Sequence, residues 1–184
     1  MKRNPSIYYK SALCTAYFKA RGVQCSLVRC DGMLPLLYTQ GEVKVGPRIG
    51  VRGRLLRCEL GAAEPSAYLH IGNQVYMNSG ASVVAQCGIE IGDYSFIGDF
   101  VTIYDSNFHS IDAVHPPKSA PVVIGTNVWL GSRVTVLPGS KIGDHTVVAT
   151  GSTVRGDLPP RVLAAGNPAV PVKELEAPDG WHRE

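Results

Sequence analysis

A chain of 184 residues with 45% hydrophobic and 18% charged residues has the composition of one ordinary globular domain. Its net charge of +3 is too small to specify a nucleic-acid partner. It contains no apolar run of the about 18 residues that a helical membrane span needs, and Tyr8, Tyr9 and Lys10 interrupt any signal-like core near the N-terminus.

The chain therefore reads as cytoplasmic. Its five cysteines (Cys14, Cys25, Cys30, Cys58, Cys87) are odd in number and form no C-x-x-C pair. They are expected as small buried hydrophobes rather than a disulfide framework or a zinc site.

Residues 7–21 predict a helix with Ile7, Leu13, Tyr17 and Phe18 on one face and Gly22 closing it. Residues 23–40 carry no clear period and are expected to form a lid on the strand edges that follow. Strand signals begin at Val43, and Arg48, Arg52, Arg54 and Arg57 form a basic cluster without interleaved aromatics, expected as a solvated edge.

A period of six then becomes visible. Aliphatic or Met residues stand at 71, 77 and 83, a two-residue slip follows near 87–90, and the count resumes at Ile91, Ile97 and Ile103. After a break of 21 residues it returns at Ile124, Leu130, Val136, Ile142, Val148 and Val154, until Pro159 and Pro160 end it. Six is the period neither of a strand nor of a helix; it is the repeat of a parallel β-helix. Each six supplies one short strand and one corner, three sixes close a triangular coil, and coils stack at about 4.8 Å so that inward aliphatics form ladders.

The break, YDSNFHSIDAVHPPKSAP, is polar and proline-rich and cannot stack as sixes. A long loop ejected from a regular scaffold is usually functional. The expected organisation is a cap over 1–42, a β-helix over 43–172 with its loop at 104–121, and a tail over 173–184 with a short C-terminal helix starting near Val172.

Four stretches stand out together: the ladder, Asp105-Ser106-Asn107-Phe108-His109 in the loop, Asn127-Val128-Trp129-Leu130-Gly131-Ser132, and Pro159-Pro160 followed by Ala165-Gly166-Asn167-Pro168. In combination they resemble the hexapeptide-repeat O-acetyltransferases of the galactoside, maltose and colanic-acid type. The resemblance covers about residues 67–175. It implies an all-β fold, a left-handed parallel β-helix, a homotrimer with active sites at subunit interfaces, and acetyl-CoA, or another acyl-CoA, as acyl donor to a hydroxyl of a saccharide or related small molecule. Neither a metal, a nucleic acid nor a membrane enters that expectation.

By resemblance, His109 is the base that takes the hydroxyl proton, the role in which histidine is the side chain most often found. Asp105 and Asp112 flank it in sequence and are expected to orient the ring. Asn78 matches the family Asn beside the acyl group and can position the hydroxyl or hold the oxyanion. Donor contacts are expected from Trp129 at the sulfur end, backbone N–H groups of Gly131 and Ser132, Thr150 and Gly151 one coil higher, and Arg155 and Lys173 at the phosphates. The chain departs from its relatives at Thr150, where they carry a smaller residue, and near Val170, where a basic residue is missing.

Counting coils by threes puts Asn78, Gly98, Gly131 and Ala149 in one column and sends the His109 loop from the next face. The two functional groups are thus expected to meet across a subunit boundary. Three alternatives compete: transfer to an amino group, a zinc enzyme of the γ-carbonic-anhydrase type using His109, His115 and His145, and a non-catalytic prism.

Overall fold

The structure, a computed structural model, describes residues 5–178 and 180–183. Its strands fall into three sheets that form the sides of a prism. Taking the strands in rotation defines a first face (28–32, 49–53, 76–77, 96–97, 129–130, 147–148, 162–166), a second (36–39, 59–62, 82–85, 102–104, 135–136, 153–154) and a third (42–45, 68–71, 88–91, 122–124, 141–142, 157–158). Every strand in these series pairs in parallel with the strand one coil away, giving a left-handed β-helix of six full coils.

Register explains why a period of six builds this object. On the first face Val51, Met77, Ile97, Leu130, Val148 and Ala164 are successive partners. On the second, Leu60, Val83, Ile103, Val136 and Val154 are. On the third, Val45, Ile71, Ile91, Ile124, Ile142 and Leu158 are. All are buried, and each large aliphatic contributes roughly 1.5–3 kcal/mol on leaving water.

The edge between the third and first faces is a column of left-handed residues: Arg48, Gln74, Tyr94, Asn127, His145 and Arg161, all with φ between 55° and 62°. Turning the corner this way aims each N–H at the coil nearer the N-terminus. Asn127 donates to Asp93 O at 2.7 Å, His145 to Thr126 O at 2.8 Å and Arg161 to Asp144 O at 2.8 Å.

Two expectations about the ends are corrected. The β-helix starts at Val28 rather than Val43, because Val28–Gly32, Leu36–Thr39 and Glu42–Val45 already form the first coil. Among the described residues no C-terminal helix forms: Ala169–Glu174 is a strand, antiparallel to Val162–Gly166. Pro168 and Pro171 deny a helix its N–H donors, and Val170 and Val172 favour extended backbone.

Helix α1 (Pro5–Ala20) covers the starting edge of the first face. Its buried stripe is Ser11, Cys14 and Phe18, while Leu13 is 47% exposed, so the docking face differs from the expected one. The stripe must satisfy the unpaired N–H groups of an edge strand. Ser11 Oγ accepts from Cys30 N at 3.0 Å, and Thr15 Oγ1 from Val28 N at 3.0 Å. Gly22 (φ 80°) then ends the helix in a Schellman turn, with Val23 N donating to Phe18 O and Gly22 N to Lys19 O, both at 3.0 Å. Replacing Ser11 with Ala or Thr15 with Val orphans one buried N–H each. Urea unfolding should show a loss of about 1–3 kcal/mol per substitution.

Candidate active site

The edge between the first and second faces carries the expected column of Asn78, Gly98, Gly131 and Ala149. Its geometry explains the glycines. A Cβ on Gly98 would lie 2.7 Å from Ser132 N, and one on Gly131 2.7 Å from Thr150 N. Only hydrogen fits where successive corners approach this closely.

The expected donor N–H of Gly131 is already used, bonding Val148 O at 2.8 Å. The open groups sit one residue further round the corner. Among the described residues, the N–H groups of Asp99, Ser132 and Thr150 have no partner, and they rise one per coil along the edge. An extended, amide-bearing chain laid along the edge meets a file of donors.

Asn78 opens this file. Its N–H bonds Ile97 O at 2.9 Å and its Nδ2 reaches the same oxygen at 3.3 Å, leaving Oδ1 and one N–H of the amide for a ligand. Sequence reading missed the residues that fix this turn. Cys58 Sγ donates to Asn78 O at 3.0 Å, and Asp99 Oδ1 accepts from Ser79 N at 3.1 Å. Their signal was only the recurring aspartate two residues after an inward aliphatic.

Trp129 stands on the first face, 47% exposed and in register with Phe96, which in turn pairs with Tyr76. Thr150 and Gly151 (φ 73°) are exposed at the top of the file. Arg155 does not join them, because it follows the second-face strand Thr153–Val154 and lies on the next edge. Lys173 is exposed on the C-terminal strand, paired with Leu163. The cation that shares the file is Arg133, whose guanidinium carbon lies 5.6 Å from the Phe100 ring centre.

The loop leaves from the second edge onward, between Tyr104 and Val122. Its base is a short hairpin in which Asn107 N donates to Lys118 O at 3.1 Å, Ala120 N to Asp105 O at 2.8 Å and Ser119 Oγ to Ser106 Oγ at 2.9 Å. Tyr104 and Phe108 meet edge to face at 5.1 Å. His109 follows, exposed, with its N–H on Asn107 O at 2.7 Å and no described residue of the chain bonded to its ring.

Neither flanking aspartate faces that ring. Asp105 is fully buried and accepts from the N–H groups of Gln86, Cys87 and Gly88 at 2.7, 2.8 and 2.5 Å. It clamps the two-residue slip of the coil beneath, so it fixes where the loop starts rather than how the imidazole points. Asp112 accepts from Val114 N at 2.9 Å, His115 N at 2.8 Å and His115 Nδ1 at 2.7 Å. The Val114 N–H first, then His115, hold its carboxyl below the usual range.

Cys87 is a poor nucleophile, its thiol pushed up to about 11 by burial and then by Asp105. For the zinc alternative, no three His, Cys, Asp or Glu side chains converge within one chain among the described residues. His115 is engaged by Asp112, and His145 is half-buried against Asn127.

Residues 121–156 match the family model "Bacterial transferase hexapeptide (six repeats)". The Schizosaccharomyces pombe protein named "Putative acetyltransferase C18B11.09c" is 32% identical over 194 residues, covering 93% of each chain. The galactoside O-acetyltransferase of Escherichia coli K12 is 36% identical over 125 residues, 63% of this chain and 62% of that one. The alignment thus spans about six-tenths of that relative's length. Among solved structures, the hexapeptide-repeat acetyltransferase VCA0836 of Vibrio cholerae, complexed with acetyl coenzyme A, matches at 29% identity and TM-score 0.60 over 72% of this chain and 71% of that one. A galactoside acetyltransferase in complex with coenzyme A shares the fold at TM-score 0.59 over 96% and 86%, with 21% identity. The chain belongs to the hexapeptide-repeat acetyltransferase family.

The division of roles between the aspartates is testable by unfolding. Asp105→Ala orphans three backbone donors and should lower stability by about 3 kcal/mol or more. Asp112→Ala should leave the unfolding midpoint unchanged.

Proposed function

We propose that this protein is an acetyl-CoA-dependent O-acetyltransferase acting on a hydroxyl of a saccharide or related small-molecule acceptor. The observation that carries the reading is the pairing of an ejected loop, presenting an unengaged imidazole at His109, with a neighbouring edge that presents Asn78 and a file of open N–H donors. Asn78 and His109 belong to different edges of one prism. A site containing both is completed by a second copy, in a trimer whose protomers lie side by side.

In this reading the acceptor hydroxyl donates to His109, which removes its proton as the oxygen attacks the thioester carbonyl carbon. The Asn78 amide donates to the tetrahedral oxyanion. The carbon–sulfur bond then breaks, and the proton held by His109 goes to the leaving thiolate. Asp105 acts by anchoring the loop base, and Asp112 by shaping its tip.

The donor chain lies along the file, its amides against the open N–H groups of Ser132 and Thr150, beside Gly131 and Gly151, with Trp129 walling the sulfur end. Arg133 serves the pyrophosphate from the same edge, and Lys173 the phosphates from the strand beyond the first face, while Arg155 stands on the next edge, away from the donor. Direct attack fits the high pKa of Cys87, which disfavours a covalent cysteine route. Five unpaired cysteines fit the reducing cytoplasm as the working compartment.

The test is release of free thiol from acetyl-CoA with a panel of sugar acceptors. His109→Ala should lower kcat by about 10²–10⁴-fold, and Asn78→Ala by about 10²–10³-fold, with the fold intact by circular dichroism. Cys87→Ser should retain turnover. Full retention of transfer by His109→Ala removes the proposal.

A further inference from the structure

The C-terminal residues return to the edge between the third and first faces and dock on Asn127, which is completely buried. Asn127 Nδ2 donates to Trp181 O at 3.1 Å and to His145 Nδ1 at 2.8 Å, while Oδ1 accepts from Arg183 N at 3.0 Å. The Arg183 guanidinium donates to the carbonyls of Asn127 and His145, and stacks on Trp181 at 5.1 Å. His182 lies flat on Tyr94, ring centres 3.8 Å apart and 2° from parallel.

These bonds leave one polarity. Flipping the Asn127 amide would set its oxygen against Trp181 O and its NH₂ against Arg183 N–H, so Nδ2 must face the histidine. His145 Nδ1 therefore accepts, which only a neutral ring with its proton on Nε2 can do. Protonation turns that acceptor into a donor facing a donor.

We propose that Trp181–Arg183 is a proton-sensitive latch, closed on the prism only while His145 is neutral. Among the charged or titratable groups around His145, three cationic or titratable side chains (Arg161, Arg183 and His182) reinforce the sign and the Asp144 carboxylate opposes it. Arg161 comes from the coil above, Arg183 and His182 from the tail, and Asp144 from its own corner, where its carboxylate is bonded to Thr126 N at 2.7 Å. Burial first, then Arg161, hold the imidazole below its usual range. The share of this depression that comes from burial under the tail and from Arg183 and His182 is linked to docking, which is therefore complete above the His range and is lost as pH falls through it. The latch roofs a cleft of about 340 Å³ lined by Gln74, Tyr94, Phe96, His182 and Arg183. Opening it uncovers Phe96, the partner in register of Trp129. This inference does not depend on the transferase reading.

The test is hydrogen exchange of the tail amides between about pH 8 and pH 5, corrected for intrinsic rates, alongside NMR titration of His145 and His182. Protection should fall by up to roughly tenfold per pH unit as pH drops through the His range, with a midpoint that tracks His145. His145→Asn keeps an oxygen acceptor at the δ1 position and suits the left-handed backbone, so its tail should stay protected throughout. Asn127→Ala should leave the tail unprotected at every pH. Protection that is independent of pH, that tracks His182, or that titrates unchanged in His145→Asn overturns the proposal.

Discussion

The molecule depends on one constraint: each inward aliphatic must sit on the aliphatic of the adjacent coil in parallel register. Because Met77, Ile97, Leu130 and Val148 are successive partners, every coil must close with the same perimeter. Extra residues cannot be absorbed into a side and must leave at a corner. The slip at Gln86–Cys87 and the loop that starts at Asp105 leave at the same edge in adjacent coils. Asp105 ties the two together through three backbone N–H groups. Two irregularities thereby become one rigid platform, and the loop that carries His109 departs from a fixed point.

The same constraint sorts chemistry among the edges. At the first, the approach of successive corners demands Gly98 and Gly131 and leaves donors unpartnered at Asp99, Ser132 and Thr150. The second sends out an imidazole. At the third, left-handed corners stack Tyr94, Asn127 and His145 closely enough for a returning tail to bond all three. A prism of this kind separates its functional groups by geometry, and the proposed catalysis follows from bringing two prisms together.

Much of this was legible in the sequence, for physical reasons. Strict sixes at residues 124–154 report the ladder directly, and the proline-rich break reports the ejected loop. The first coil was hidden because its strands are longer and joined by uneven corners, so Val28, Leu37 and Val45 do not fall in phase. The run AVPVKE is short, and the strand favoured by its proline and valines becomes evident once it pairs antiparallel with Val162–Gly166. The role of Asp105 was illegible because its partners lie some 17–19 residues earlier and are backbone groups without sequence identity. The tail's docking was equally hidden, since Asn127 and Arg183 are 56 residues apart.

The central claim is that the prism presents Asn78 and His109 on separate edges, so that a working site takes one from each of two protomers. Co-assembly of His109→Ala with Asn78→Ala subunits in equal amounts, followed by thiol-release kinetics, tests it most directly. If sites are shared between neighbours, random mixing leaves about one quarter of them with both native groups, and activity should return to about a quarter of wild type. If the mixed assemblies stay as inactive as either parent, the two residues act within one chain and the account is wrong.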